Sequence, residues 1–177
     1  PGYVSQDWIV NLEERKKKKG LSPEQLEVIL SEKFLTKNGP KEARKVLYDQ
    51  FLRALNDGQR REILLAMAIT YIDQEAYDLA LRELKERYLL SEADEDVPNM
   101  ANDMATMAAV LLADDKTDSA LALFNRSIQH VNSSELGEET KRQYHTGHLA
   151  NLALAAWKMG DFDSARAMLT DYREAIT

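Results

Sequence analysis

The chain has no cysteine among its 177 residues. Disulfides, thiolate metal sites and cysteine nucleophiles are therefore excluded, although that absence does not fix the compartment. Glycine (7) and proline (4) are scarce, which argues against many short strands joined by tight turns. No apolar run approaches the ~18 residues that a membrane-crossing helix needs. The glycines never form G-x-x-x-x-G-K or G-x-G-x-x-G, the loops that cradle phosphates, and there is no G-x-S-x-G turn to present a serine. No catalytic centre is expected.

What is present is an ordinary globular composition, 44% hydrophobic and 30% charged, in a length that suits one well-cored domain. Charge is unevenly spread. Residues 1–60 carry 12 Lys/Arg against 9 Asp/Glu, whereas residues 61–177 carry 11 against 21, a net of −10. An acidic body disfavours a nucleic-acid backbone as partner. The run Arg15-Lys16-Lys17-Lys18-Lys19 reads as the solvated end of a helix stopping at Gly20, where cations complement the helix dipole. The chain opens on Pro1, so a leader cannot be assessed; a cytoplasmic location is expected, with a periplasmic one as the alternative.

The pattern is helical throughout. Ser5 caps a first helix carrying Trp8, Ile9 and Leu12, and Ser22-Pro23-Glu24-Gln25 starts a second with a capping box. Leu26, Ile29, Leu30 and Phe34 follow at helical spacing until Asn38-Gly39-Pro40 stops them. A further stripe (Ala43, Val46, Leu47, Phe51, Leu55) runs to Asn56-Asp57-Gly58. Later breaks fall near Asp73-Gln74, Ser91–Asp96, Asp114-Asp115, Asn132–Gly137 and Gly160-Asp161. The expectation is an all-α array of antiparallel helical hairpins with about nine helices: a capping helix in residues 1–22, then about four hairpin units in 23–177.

An internal repeat sets the register. Ala43, Ala80, Ala120 and Ala165 align, with a small residue twelve positions before each (Ser31, Ala68, Ala108, Ala153). One further back stands a large apolar residue (Leu30, Met67, Met107, Leu152), and four after each alanine another (Leu47, Leu84, Phe124, Leu169). Small residues at matched positions let paired helices approach closely while the large ones fill the space between.

The fourth unit, Asn151-Leu152-Ala153-Leu154-Ala155 followed by Gly160-Asp161-Phe162-Asp163-Ser164-Ala165, resembles the tetratricopeptide repeat (TPR) family. Tyr77-Asp78-Leu79-Ala80 and Asp118-Ser119-Ala120 keep parts of the same pattern. The resemblance covers residues 24–177, with the alanines 37, 40 and 45 apart instead of the family's 34. It implies a TPR-like α-solenoid whose first helices line a concave groove. The groove positions it assigns are Leu65, Ile69 and Ile72, then Ala105, Ala109 and Leu112, then Ala150, Asn151, Leu154 and Trp157. Family members that grip a C-terminal carboxylate use Lys, Arg and Asn at set positions. Here those positions hold Val28, Glu32, Ala66, Asn102 and Thr106, so a carboxylate clamp is not expected.

The apolar lining reads directly from the residues as well. Nine of ten residues in Ile63–Ile72, nine of ten in Met104–Ala113 and eight of nine in Leu149–Trp157 are apolar. Helices apolar all round are buried on every side, or else present an apolar surface that something covers. Two candidates for chemistry are weaker. His145 and His148 share a helix face, with Glu138 or Glu139 as a third metal ligand, but no H-E-x-x-H pattern exists and both read as ordinary histidines near a kink at Gly147. The acidic Glu92–Asp96 lacks a calcium loop's alternating ligands and reads as a solvated linker. Asn125 and Asn132 open glycosylation triplets that chance supplies readily.

The expected function is a non-catalytic protein-interaction module binding a helix or hydrophobic peptide in an apolar groove, with no cofactor and no metal. The alternatives are a peptide-sensing regulatory domain, or an accessory subunit of an enzyme or secretion assembly. The expected partner is a protein or peptide, self-association included, and not nucleic acid or a membrane span. Trp8, Ile9 and Leu12 make the first helix a candidate cover for the groove, and Ile176 suggests an end that continues or is covered.

Overall fold

The structure is a computed structural model that describes residues 32–176, with side chains from Lys37 onward. Among the described residues all regular structure is helical. The helices are α1 (Glu32–Arg53), α2 (Asp57–Ile72), α3 (Tyr77–Ala93), α4 (Val97–Ala113), α5 (Thr117–Asn132), α6 (Glu138–Lys158) and α7 (Phe162–Ile176). These seven do not match the expected count of about nine. The helix starting at Ser5 lies outside the described residues. The start of the helix expected from Ser22 also lies outside them; its described end and the helix expected after Asn38-Gly39-Pro40 form the span α1, interrupted at Gly39, where φ is 77° and ψ 160°. The stop signal is therefore present as a break inside one span: Gly39 takes a conformation other residues avoid, and Pro40 has no N–H to donate to a preceding turn.

Four helices end the same way. The turns after α2, α3, α4 and α6 each place one residue at positive φ: Glu75 (56°), Glu95 (53°), Asp115 (56°) and Gly160 (81°). In each, that residue's N–H and the next one's bond back to carbonyls of the last turn, as in Glu75 N to Ile72 O (2.9 Å) and Ala76 N to Tyr71 O (2.9 Å). This is the Schellman cap, which satisfies carbonyls that the helix end would leave open. Starts are capped too. Asn56 Oδ1 accepts from Gln59 N (2.9 Å), and Asp96 Oδ1 accepts from Asn99 N (3.0 Å). The acidic stretch Glu92–Asp96 is thus not a linker: it closes α3 and caps α4 within a few residues. Likewise α6 runs through Gly147 without the expected kink.

The chain divides into two compact units, residues 1–87 and 88–177, with α3 passing through the division. In the first, Ala43, Val46, Leu47, Ile63, Leu64, Met67, Ala68, Ala80 and Leu84 are buried. In the second, Ala108, Leu112, Ala120, Phe124, Leu152 and Ala155 form one core joining α4, α5 and α6, and Met168 of α7 packs against it. The four register alanines are all buried, Ala43, Ala80 and Ala120 completely.

Candidate interaction surfaces

In the second unit α4 and α6 are pinned together at both ends. Tyr144 O–H donates to Pro98 O (3.2 Å), and Asn102 Nδ2 donates to Tyr144 Oη (3.4 Å). At the other end Lys158 Nζ donates to Leu112 O (3.1 Å), a carbonyl in the last turn of α4, and pairs with Asp115. The expected groove positions on these two helices separate. Ala105 and Asn151 are half-buried, and Ala109, Leu154 and Trp157 are exposed. Leu112 is not a surface residue but part of the core with Phe124 and Leu152. In the first unit Leu65, Ile69 and Ile72 are half-buried on α2 and Ala66 is buried. None of Ile63–Ile72 is exposed, although Leu65, Ile69, Tyr71 and Ile72 are only half-buried. The corresponding stretch of α6 is more open, because Leu154 and Trp157 stand out of it.

Of the carboxylate-clamp positions, Ala66 is buried, and the side chain of Glu32 lies outside the described residues. Thr106 Oγ1 is turned to its own helix, donating to Asn102 O (2.8 Å), and Val28 lies outside the described residues. His145 and His148 do not form a site together. His148 is buried and in contact with Ser127 Oγ through Nε2 (3.0 Å), its ring tilted against Phe124, while His145 is exposed. Burial, and secondarily the nearby His145, holds the His148 imidazole below the ordinary histidine range. Among the described residues no three metal-binding side chains cluster, and no helix is long and apolar enough to cross a membrane.

A feature absent from the sequence reading is a polar residue buried seven positions after the register alanine: Gln50, Arg87 and Ser127. Ser127 Oγ donates to Ala101 O (2.8 Å), and Arg61 Nη1 donates to Arg87 O (3.0 Å). Each of these bonds ties the second helix of a hairpin to the first.

A second open surface lies where α6 hands over to α7. A cleft of about 600 Å³ is lined by Trp157, Phe162, Ala165, Arg166, Leu169 and Arg173, with Thr170 at its side. Trp157 is 58% exposed and so belongs both to this cleft's edge and to the α4–α6 strip.

No protein-family model matches the chain, and no curated protein matches it. Solved structures are similar to it. Aspartyl phosphate phosphatase F from Bacillus subtilis superposes with a TM-score of 0.66 at 13% identity, over 86% of this chain and 40% of that one. A variant of a Podosopora anserina kinesin light chain protein with nearly identical TPR-like repeats superposes with a TM-score of 0.66 at 16% identity, over 96% of this chain and 85% of that one. The chain spans less than half the length of the phosphatase. At these identities the likeness concerns the fold, and the fold is a TPR-like helical repeat.

Proposed function

We propose that the chain is a non-catalytic protein-interaction module, and that a helix or hydrophobic peptide docks on the apolar strip along α4 and α6. The observation carrying this reading is the exposure of Leu154 and Trp157 on α6 and of Ala109 on α4, two helices hydrogen-bonded to each other at both ends. Alanines keep the strip shallow, so a partner's side chains can reach the helix surface, while Leu154 and Trp157 supply large apolar area. Covering a side chain of that size contributes roughly 1.5–3 kcal/mol, and exposed tryptophans are frequent anchors of interfaces. The TPR-like fold supports the same reading, since stacked hairpins present extended surfaces from their first helices.

The test uses the full chain as bait against extracts of its source cells, alongside Leu154→Glu/Trp157→Glu. Both side chains are exposed, so the double variant keeps its circular dichroism. A protein retained by the wild type and lost by the variant is the expected result. Identical capture by the two baits would refute the strip as the binding surface.

A further inference from the structure

We propose that a row of side chains on α1 docks a short acidic helix of a partner protein, apart from the strip on α4 and α6. The row is Lys41, Lys45, Tyr48, Leu52 and Leu55, placed two before and two, five, nine and twelve after the register alanine Ala43. The first four share one face of α1 by the helical period. Leu55 stands just beyond, in a turn where its N–H donates to Gln59 Oε1 (2.9 Å). All five are exposed, and Tyr48, Leu52 and Leu55 are 53%, 64% and 76% open.

The repeat register shows that neighbouring hairpins do not cover this row. On α3 its members are Asp78, Arg82, Lys85, Leu89 and Glu92, and all are exposed. On α5 they are Asp118, Ala122, Asn125, Gln129 and Asn132, again all exposed. Both helices stand inside the array, with described helices before and after them in the chain. The openness of the row therefore does not come from standing at an end of the sequence. Its composition is what changes. On α3 and α5 the row is polar apart from Leu89 and Ala122, as a solvent-facing row should be. On α1 it holds three large apolar side chains in succession. Single exposed leucines are ordinary, whereas apolar groups gathered on a solvent row mark a binding surface.

Charge selects the occupant. Lys41 and Lys45 stand one turn apart at one end of the row, and the row carries no acid. Glu42 and Asp49 lie to one flank, about a quarter-turn round the helix. Neither lysine has an ion-pair partner among the described residues. Carboxylates one turn apart on an occupant would meet both ammonium groups, while its apolar side chains cover Tyr48 and the leucines. Other covers suit the row less. The chain's own first residues bring Arg15-Lys16-Lys17-Lys18-Lys19, which would set cation against cation. A second copy paired through this one row falls short of the ~800 Å² per partner that stable interfaces bury. An anionic bilayer is broad enough to meet the exposed Glu42 as well as the lysines, whereas a helix is narrow enough to meet the row alone.

The experiment titrates the full chain into two labelled synthetic helices with leucines at one end. One carries two Glu a turn apart at the other end, and its twin two Lys. At physiological salt the acidic helix is expected to bind at least ~10-fold more tightly, against the chain's net charge of −7. Lys45→Glu removes that preference, whereas Lys85→Glu, the same charge change on the α3 row, keeps it. Leu52→Glu weakens binding at least ~10-fold, and Leu154→Glu binds as the wild type does, which separates this site from the α4–α6 strip. All four side chains are exposed, so the melting temperatures stay unchanged. Equal affinity for the twins, no saturable binding of either, or equal losses in Lys45→Glu and Lys85→Glu would overturn the proposal. So would a dimer in sedimentation, or flotation with phosphatidylserine vesicles, that Leu52→Glu abolishes, since the row would then belong to a second copy or to a membrane.

Discussion

Ser127 has a single hydroxyl proton, and it goes to Ala101 O at 2.8 Å. In its 3.0 Å contact with His148, the serine oxygen must then accept, so Nε2 of the imidazole carries hydrogen and donates. Burial, and secondarily His145, lowers the tendency of the folded ring to protonate, so the unfolded chain takes up a proton at a higher pH than the folded one does. This contribution to stability is full above the ordinary histidine pKa of ~6.5 and declines as the pH falls through it. His148→Gln can still donate to Ser127 and does not titrate. Thermal melts between pH 7.5 and 5.5 should show the wild type losing more stability than His148→Gln; parallel losses would remove His148 as the cause. The register alanines were legible in the sequence because only a small residue fits where two helix backbones meet. Gln50, Arg87 and Ser127 were not, since a polar residue in an amphipathic helix reads as solvent-facing until its burial is seen. Leu112 was misplaced for the converse reason: a helix apolar on all sides carries no mark of which side faces out.

At the scale of elements, the breaks at Gly39-Pro40, Asp73-Gln74, Asp114-Asp115 and Gly160-Asp161 were readable from breaking residues, whereas the Schellman form of three of the four capped ends was not. Glu75, Glu95 and Asp115 adopt a positive φ that a sequence reader assigns to glycine, and only Gly160 announces itself. In those three turns the cap's backbone bonds and the packing of the flanking helices outweigh the steric cost at one residue. Gly147 is the opposite case, a glycine in the interior of α6 with an ordinary helical role. A Cβ added there would meet nothing within 4 Å. Gly147→Ala is therefore expected to stabilise the chain by about 1 kcal/mol, through helix propensity and a less flexible unfolded state. Urea unfolding checks this; an unchanged midpoint would mean that α6 opens before the transition being measured.

For the molecule as a whole, stability in a repeat protein is passed between neighbours, and the two faces of a hairpin's second helix count separately. Phe124 on α5 is buried from both sides, whereas its register mate Leu169 on α7 is half exposed. Among the 15 residues of α7 only Ala165 is buried. Amide exchange should accordingly be fastest in α7 and slowest across α4 and α5, with α6 between them. Uniform protection along residues 97–176 would show instead that the second unit opens as one piece. Helix α7 is thus anchored along one seam, with Phe162, Leu169 and Ile176 each more than half exposed along the other. Any helix laid along that second seam would act as a further wall, felt as a slower clock for fifteen amides more than as any change of shape.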